Sequence, residues 1–442
     1  MEPHPIDIQS DSIAPQTVRP FGSEDTGLFT PSFRRLGELD VSLGFLTDLT
    51  LKAVSLNPDC TTAHVAERIR LGMAETDALL QRLYEEKLVD KKGTVGLHNN
   101  RYAMTDRGWE RAAQSMARCN YVGPAPVSLE EYTKMLVRQV RSRPPVPKAE
   151  LDAVLNELVL PDSVKRRLGM VASSGRSLFL SGPPGNGKTT MARALVNAIP
   201  GEIWIPYAIE VDGHVIRVFD KHDHHPVDPP EGDYDRRWVK IRPPLVTVGG
   251  ELTIQSLDLT ATDASRCYEA PFQLKANGGV LVVDDLGRQR VSARELLNRW
   301  IIPLEYRTDY LTLSTSKKVQ VPFELIVVFA TNLTDADLVD EAFLRRMGYR
   351  LYVGPPSPEM YAEIFRRFAR SIGLTADESL VRHVLGRYKA EGRELKACEP
   401  RDLLTRAIDL CKFDGEASRL TKEILDEAWD SYFGGAGFPS SR

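Results

Sequence analysis

Eight residues, GPPGNGKT from Gly182 to Thr189, fit the spacing GxxxxGK[ST]. Gly182, Gly185 and Gly187 let a backbone curl until its N–H groups face one centre, which suits the oxygens of a phosphate. A helix starting near Lys188 adds the positive end of its dipole. Lys188 can reach β- and γ-phosphates, and the Thr189 hydroxyl can ligate Mg²⁺. Pro183, Pro184 and Asn186 fill the loop, and Thr190 follows on the helix, so residues 182–190 form the candidate cradle. Downstream, GGVLVVDD ends in two adjacent carboxylates, Asp284 and Asp285. Asp284 is the acidic partner expected for Mg²⁺, acting through water. As neighbours at a strand end, the two acids are expected to project to opposite sides, leaving Asp285 to polarise a water. A third run, ELIVVFATN, ends in Asn332, a polar group suited to orienting that water or touching a γ-phosphate.

These groups need a scaffold that brings three chain segments together. RSLFLS before the loop and MARALVNAI after it read as strand and helix. VLVV and LIVVFA are short, wholly apolar runs, the pattern of strands buried on both faces. The expected fold is α/β, a P-loop parallel sheet spanning 150–355, with a C-terminal α-helical lid over 356–432.

The order of these motifs resembles the AAA+ ATPase superfamily over about residues 150–432. By that resemblance GPPGNGKT corresponds to Walker A, VLVVDD to Walker B and FATN to sensor 1. Arg345 or Arg346, in FLRRMGYR, corresponds to the arginine finger, and Arg401, in CEPRDLL, to sensor 2. The sequence ANGGVLVVDDLGRQ, then LLNRWIIPLEYR, then VPFELIVVFATN is similar to MoxR-like ATPases and enhancer-binding activators, in which a helix and a hairpin precede the sensor strand. The resemblance implies ATP and Mg²⁺ as cofactors and a ring, usually a hexamer, with nucleotide at the subunit interfaces.

The second acid departs from the family pattern, in which it is commonly a glutamate. Aspartate keeps the charge and shortens the reach by about 1.5 Å. A misplacement of about 1 Å costs on the order of a hundredfold in rate. The expectation is a working ATPase of low turnover, with a degenerate nucleotide-binding subunit as the competing reading.

The N-terminal half carries less chemistry. Residues 1–35 are rich in Pro, Ser and Asp and read as a tail, as do 433–442. Over 36–120, GFLTDLTLKAVSL, TTAHVAERIR and AETDALLQRLYEEKLV carry helical spacing, with Thr61 or Thr62 as a cap. Two short strands and a helix from Asp106 follow, so the unit resembles a winged-helix domain. Residues 121–149 read as a helix and a Pro-rich linker that lets this unit swing. A β-hairpin insertion is expected near 202–242, turning at Asp212–Gly213, to contact substrate or extend the sheet edge. His222, His224 and His225 lie in a Pro-rich run without the fixed spacing of metal ligands, so the run reads as solvated loop.

Composition narrows the partners. A net charge of −4 over 442 residues excludes a globally basic nucleic-acid coat. Five scattered cysteines without a CxxC pair suit free thiols, and the apolar runs are too short to cross a bilayer. With no signal-peptide pattern at the start, the expected setting is cytoplasmic. The third N-terminal helix carries Glu75, Asp77, Glu85 and Glu86 against Arg82 and Lys87, a poor set for reading bases, although Lys91, Lys92 and Arg101 could touch phosphate. The function expected is an ATP-driven remodeller of a protein or protein complex, with the winged helix as adaptor. The alternatives are a DNA-binding regulator or initiator-like ATPase, and a nucleotide-gated assembly scaffold with little turnover.

Overall fold

Five short strands assemble the core. They are β5 (Leu178–Ser181), β10 (Leu245–Val248), β13 (Val280–Val283), β16 (Ile326–Thr331) and β17 (Tyr349–Tyr352). The computed structural model describes residues 30–57, 60–96, 98–261, 267–332, 345–415, 417 and 419–434. The strands run parallel in the order β10-β13-β16-β5-β17. Successive side chains alternate between two cores. Leu178, Leu180, Val280, Val282, Val328 and Ala330 pack under α6 (Lys148–Leu155), α7 (Asp162–Ser174) and α8 (Lys188–Asn197). Phe179, Leu281, Val283, Val327 and Phe329 pack against Leu296, Leu297 and Trp300 of α10 (Ala293–Tyr306). Burial on both faces explains why β13 and the body of β16 read as unbroken apolar runs.

Between α10 and β16 lies a hairpin of β14 (Thr308–Thr312) and β15 (Lys318–Pro322). After β17 come four helices, α11 (Pro358–Ser371), α12 (Glu378–Glu391), α13 (Glu399–Phe413) and α14 (Lys422–Phe433). Their own core contains Tyr361, Phe365, Tyr388, Leu404 and Trp429. Among the described residues no helix is long and apolar enough to cross a membrane.

The N-terminal unit contains α1 (Leu43–Ser55), β1 (Cys60–Thr61), α2 (Thr62–Ile69), α3 (Met73–Glu85), β2 (Val89–Gly96), β3 (Asn99–Met104) and α4 (Asp106–Arg118). Thr61 caps α2 by accepting from His64 N, as its type and position suggest. The sheet has three strands, β1-β3-β2, where the sequence suggests two. With only two residues, β1 is too short to show any alternation.

The segment expected to be a linker is built into the molecule. Within it, β4 (Val127–Ser128) pairs with β7 (Ala208–Val211). The next element, α5 (Leu129–Arg141), is fixed through Gln139, whose amide donates to Trp204 O at 3.0 Å and accepts from Trp204 N at 2.7 Å. The hairpin β7–β8 (His214–Arg217) turns at Asp212 and Gly213, with φ of 50° and 80°, both positive as a two-residue primed turn requires. It does not extend the core sheet. It sits in a second sheet, β11-β12-β8-β7-β4, with β11 (Thr260–Ala261) and β12 (Tyr268–Glu269). Ala208, Val215 and Cys267 of that region share one buried cluster with Leu46, Leu49 and Leu80 of the N-terminal unit. The unit is therefore docked rather than swinging.

A buried ion cluster fixes the joint. Arg237 is fully buried. Its Nε and Nη2 donate to Asp235, and its Nη1 donates to Asp40 Oδ1 at 2.9 Å and Pro126 O at 3.1 Å. The expected N-terminal tail is anchored here at its end. Pro31 O accepts from Asp235 N at 2.9 Å, and Arg34 pairs with Glu131 of α5. Residues 1–29 and 435–442, the rest of the expected tails, lie outside the described residues.

Arg237→Ala strands two carboxylates in a buried setting. The expected loss is about 3–5 kcal/mol, read as a lower denaturant midpoint. Burial pushes the Asp40 carboxyl up, but Arg237 and Ser128 outweigh it and hold the group below its ordinary 3.8. The fold then binds that proton less well than the unfolded chain does. The Asp40 contribution is complete above about pH 3.8 and is lost as pH falls through the lower folded value. Asp40→Asn should flatten the acid limb of the stability curve.

Candidate functional site

The phosphate-loop residues, Asp284, Asp285 and Asn332 converge at the carboxyl ends of β5, β13 and β16, the edge where open parallel sheets hold ligands. Gly182, Gly185 and Gly187 have φ of 139°, 83° and 84°, so all three occupy backbone that glycine reaches without strain. At Gly182 the demand is also steric, because an added Cβ would lie 2.2 Å from Val353 O. Gly187 caps α8 without a side-chain hydrogen bond, so the first-turn N–H groups receive no side-chain cap. Thr190 is exposed on that helix.

Lys188 is buried and held by three oxygens. Its Nζ donates to Gly182 O at 2.7 Å, Pro183 O at 2.9 Å and Asn332 Oδ1 at 2.6 Å. Burial lowers its pKa from the usual lysine value, with Asp285 and Asp284 acting in the opposite sense. Thr189 Oγ1 donates to Asp284 at 3.0 Å and 2.9 Å, so the expected metal partners are direct neighbours. Asn332 also links the two chemistries, because its Nδ2 donates to Asp285 Oδ1 at 3.4 Å.

The expectation that Asp284 and Asp285 point to opposite sides of a strand fails. The strand ends at Val283, and Asp285 has φ of 51°, in the left-handed region. The alternation of a strand does not extend through such a turn, and Asp285 is turned toward Asn332. Gln289, a residue the sequence reading passed over, fixes this turn. Its Nε2 donates to Asp284 O at 2.7 Å and its Oε1 accepts from Gly287 N at 2.8 Å.

The arginines lie elsewhere. Arg346 Nε donates to Glu305 Oε2 on α10 at 2.8 Å, and Arg345 is exposed. The Arg401 side chain is 65% exposed and donates to Asp402 Oδ1 at 3.3 Å. What the lid places against the loop is the turn before α13. Cys398 N donates to Gly185 O at 2.9 Å, and Ala397 N to Asn186 Oδ1 at 3.3 Å.

His224 departs from the solvated-loop expectation. It is buried, with Nδ1 accepting from Asp220 N at 2.9 Å and Nε2 donating to Lys275 O at 2.9 Å. Burial lowers its pKa, which keeps the ring neutral and structural. His222 and His225 are exposed, and no metal-binding cluster occurs among the described residues.

A nucleotide and Mg²⁺ fit this donor set. Lys188 rests on oxygens that a phosphate can replace, the loop has no Cβ at its closest approaches, and the buried Nδ2 of Asn186 has no acceptor. Gly182→Ala should press β5 away from Val353, costing about 1–3 kcal/mol of stability. Loss of nucleotide binding should accompany the lower unfolding midpoint.

A family profile described as a domain of unknown function (DUF8689) matches residues 357–431, the helical lid. No curated protein matches the chain in sequence. Among solved structures, the RuvB Holliday junction branch migration motor of Thermotoga maritima is 16% identical, with a TM-score of 0.38, covering 64% of this chain and 72% of that one. NtrX of Brucella abortus in complex with ATP is 15% identical, with a TM-score of 0.40, covering 62% of each chain. Neither likeness bears on activity. The sheet order, the glycine loop and the four following helices themselves make the fold a P-loop α/β core with a C-terminal helical region.

Proposed function

We propose that the chain binds and hydrolyses ATP as an AAA+ ring that remodels a protein or protein complex. The observation that carries this reading is the continuous network joining Thr189 to Asp284 and Lys188 to Asn332 and Asp285. Lys188 exchanges loop carbonyls for phosphate oxygens. Thr189 and, through water, Asp284 would hold Mg²⁺, which would supply charge neutralisation at the phosphates. Asp285 accepts a proton from the attacking water, and Asn332 holds that carboxylate in place. Arg345 or Arg346 completes a neighbouring subunit's site, where a positioned arginine contributes about 10³–10⁵ in rate.

The N-terminal unit has the element order of a winged helix, and the adaptor role suits it better than base reading. The Ala74 and Ala78 side of α3 lines a cleft of about 740 Å³ whose other walls include Leu36 and Arg236, so part of that helix faces its own chain. The rigid joint at Arg237 would transmit motion of the core to whatever the unit carries.

Lys188→Ala should weaken ATP affinity by about 100-fold or more in calorimetry, equivalent to roughly 3 kcal/mol. Unchanged affinity would remove the phosphate-loop assignment. Asp285→Asn should bind ATP normally and lose turnover by about two orders of magnitude. If wild-type turnover is already negligible while ATP drives assembly, the scaffold reading replaces the remodeller. Mixing Arg346→Ala with Lys188→Ala subunits should restore activity at mixed interfaces if Arg346 is the finger, and the same test applies to Arg345. Tight, sequence-dependent binding of the full chain to a defined duplex would favour the DNA regulator.

A further inference from the structure

We infer that Lys396 is the residue through which the lid contacts the nucleotide's phosphates, an inference that rests on the proposed ATP site. The Lys396 stem lies along the middle of the phosphate loop. A Cβ added to Gly185 would sit 3.6 Å from Lys396 Cβ and 3.5 Å from its Cδ. The turn is fixed there by two hydrogen bonds, Cys398 N to Gly185 O and Ala397 N to Asn186 Oδ1. These bonds position Lys396 independently of where the rest of α13 points.

The ammonium is weakly engaged. Its Nζ is 3.8 Å from Glu399 Oε1, at the outer limit of an ion pair, and the side chain is 41% exposed. Glu399 Oε2 is already taken, accepting from Tyr388 Oη at 2.5 Å and Lys396 N at 3.2 Å. Beside this corner is a donor with no acceptor. Asn186 is 4% exposed, and its Nδ2 is buried without a hydrogen bond. A flexible cation on the lid turn and an unsatisfied amide N–H on the loop beneath it call for an anionic oxygen ligand, and phosphate oxygens are the ones this loop is shaped to take. Arg401, which the family pattern assigns to this role, instead pairs with Asp402 and faces solvent.

The test compares ATP and ADP affinities, by calorimetry on the full chain, for Lys396→Ala, Lys396→Arg, Arg401→Ala and Lys188→Ala. Loss of one charge-assisted hydrogen bond corresponds to about 10- to 100-fold in affinity. Lys396→Ala should lose that much for ATP and less for ADP, with an unchanged unfolding midpoint. Lys396→Arg should recover most of it, and Arg401→Ala should stay within about twofold of wild type. Wild-type ATP affinity in Lys396→Ala, with binding lost in Lys188→Ala, would overturn the inference and leave the phosphate-loop site standing. A large loss in Arg401→Ala alone would return the role to Arg401. Wild-type affinity in Lys188→Ala would instead remove the site on which the inference rests.

Discussion

A buried ammonium without a hydrogen-bonded carboxylate needs oxygens, and Lys188 finds them on two strands' ends. Two come from its own loop, Gly182 O and Pro183 O, and the third is Asn332 Oδ1 at the end of β16. That third bond is available only because β16 lies directly beside β5. The next strand, β13, brings Asp284 to Thr189. Strand order thus fixes the chemistry. A sheet with β13 and β16 exchanged would carry Asn332 one strand away from the loop, and the lysine would lose its third oxygen.

The second constraint is the placement of the N-terminal unit. A solvated linker would leave that unit free of the core, but its apolar residues share a cluster with the second sheet, and Arg237 ties Asp40 to Asp235 across the joint. Burying a guanidinium is costly unless its donors are satisfied, and here carboxylates and the Pro126 carbonyl take them. Such a cluster favours one docking geometry over many, because any displacement leaves a buried charge unpaired. The second sheet therefore acts as a mount for the N-terminal unit, with β4 and α5 as the physical connection between the two.

The phosphate loop was legible because its requirements are local: glycines at fixed spacing, one lysine, one hydroxyl. The strands under it were legible because double burial keeps all of β13 and all but the last residue of β5 and β16 apolar. The lid turn was not, since its contact with Asn186 joins residues 211 apart and uses backbone N–H groups that any sequence has. Arg237 was hidden for a related reason. DYDRRW looks like a solvated charged loop until the fold supplies Asp40 from nearly two hundred residues upstream. His224 was misread as solvent-facing because its partners are a neighbouring backbone N–H and a distant carbonyl, Lys275 O.

The shorter acid at 285 belongs with the turn it occupies. Position 285 has positive φ, and Leu286 N donates to Ala330 O, so the chain folds back toward β16 at once. Aspartate and asparagine enter the left-handed region more readily than other side chains do, because a short polar group can bond locally. Glutamate lacks that local option. In an extended strand, an aspartate would fall about one C–C bond short of a glutamate's reach. In this turn the backbone itself swings the carboxylate toward Asn332, and the reach of the side chain matters less than the direction of the Cα–Cβ bond. The identity of the second acid is then tied to the backbone geometry that Gln289 stabilises through Asp284 O and Gly287 N, not to side-chain length alone.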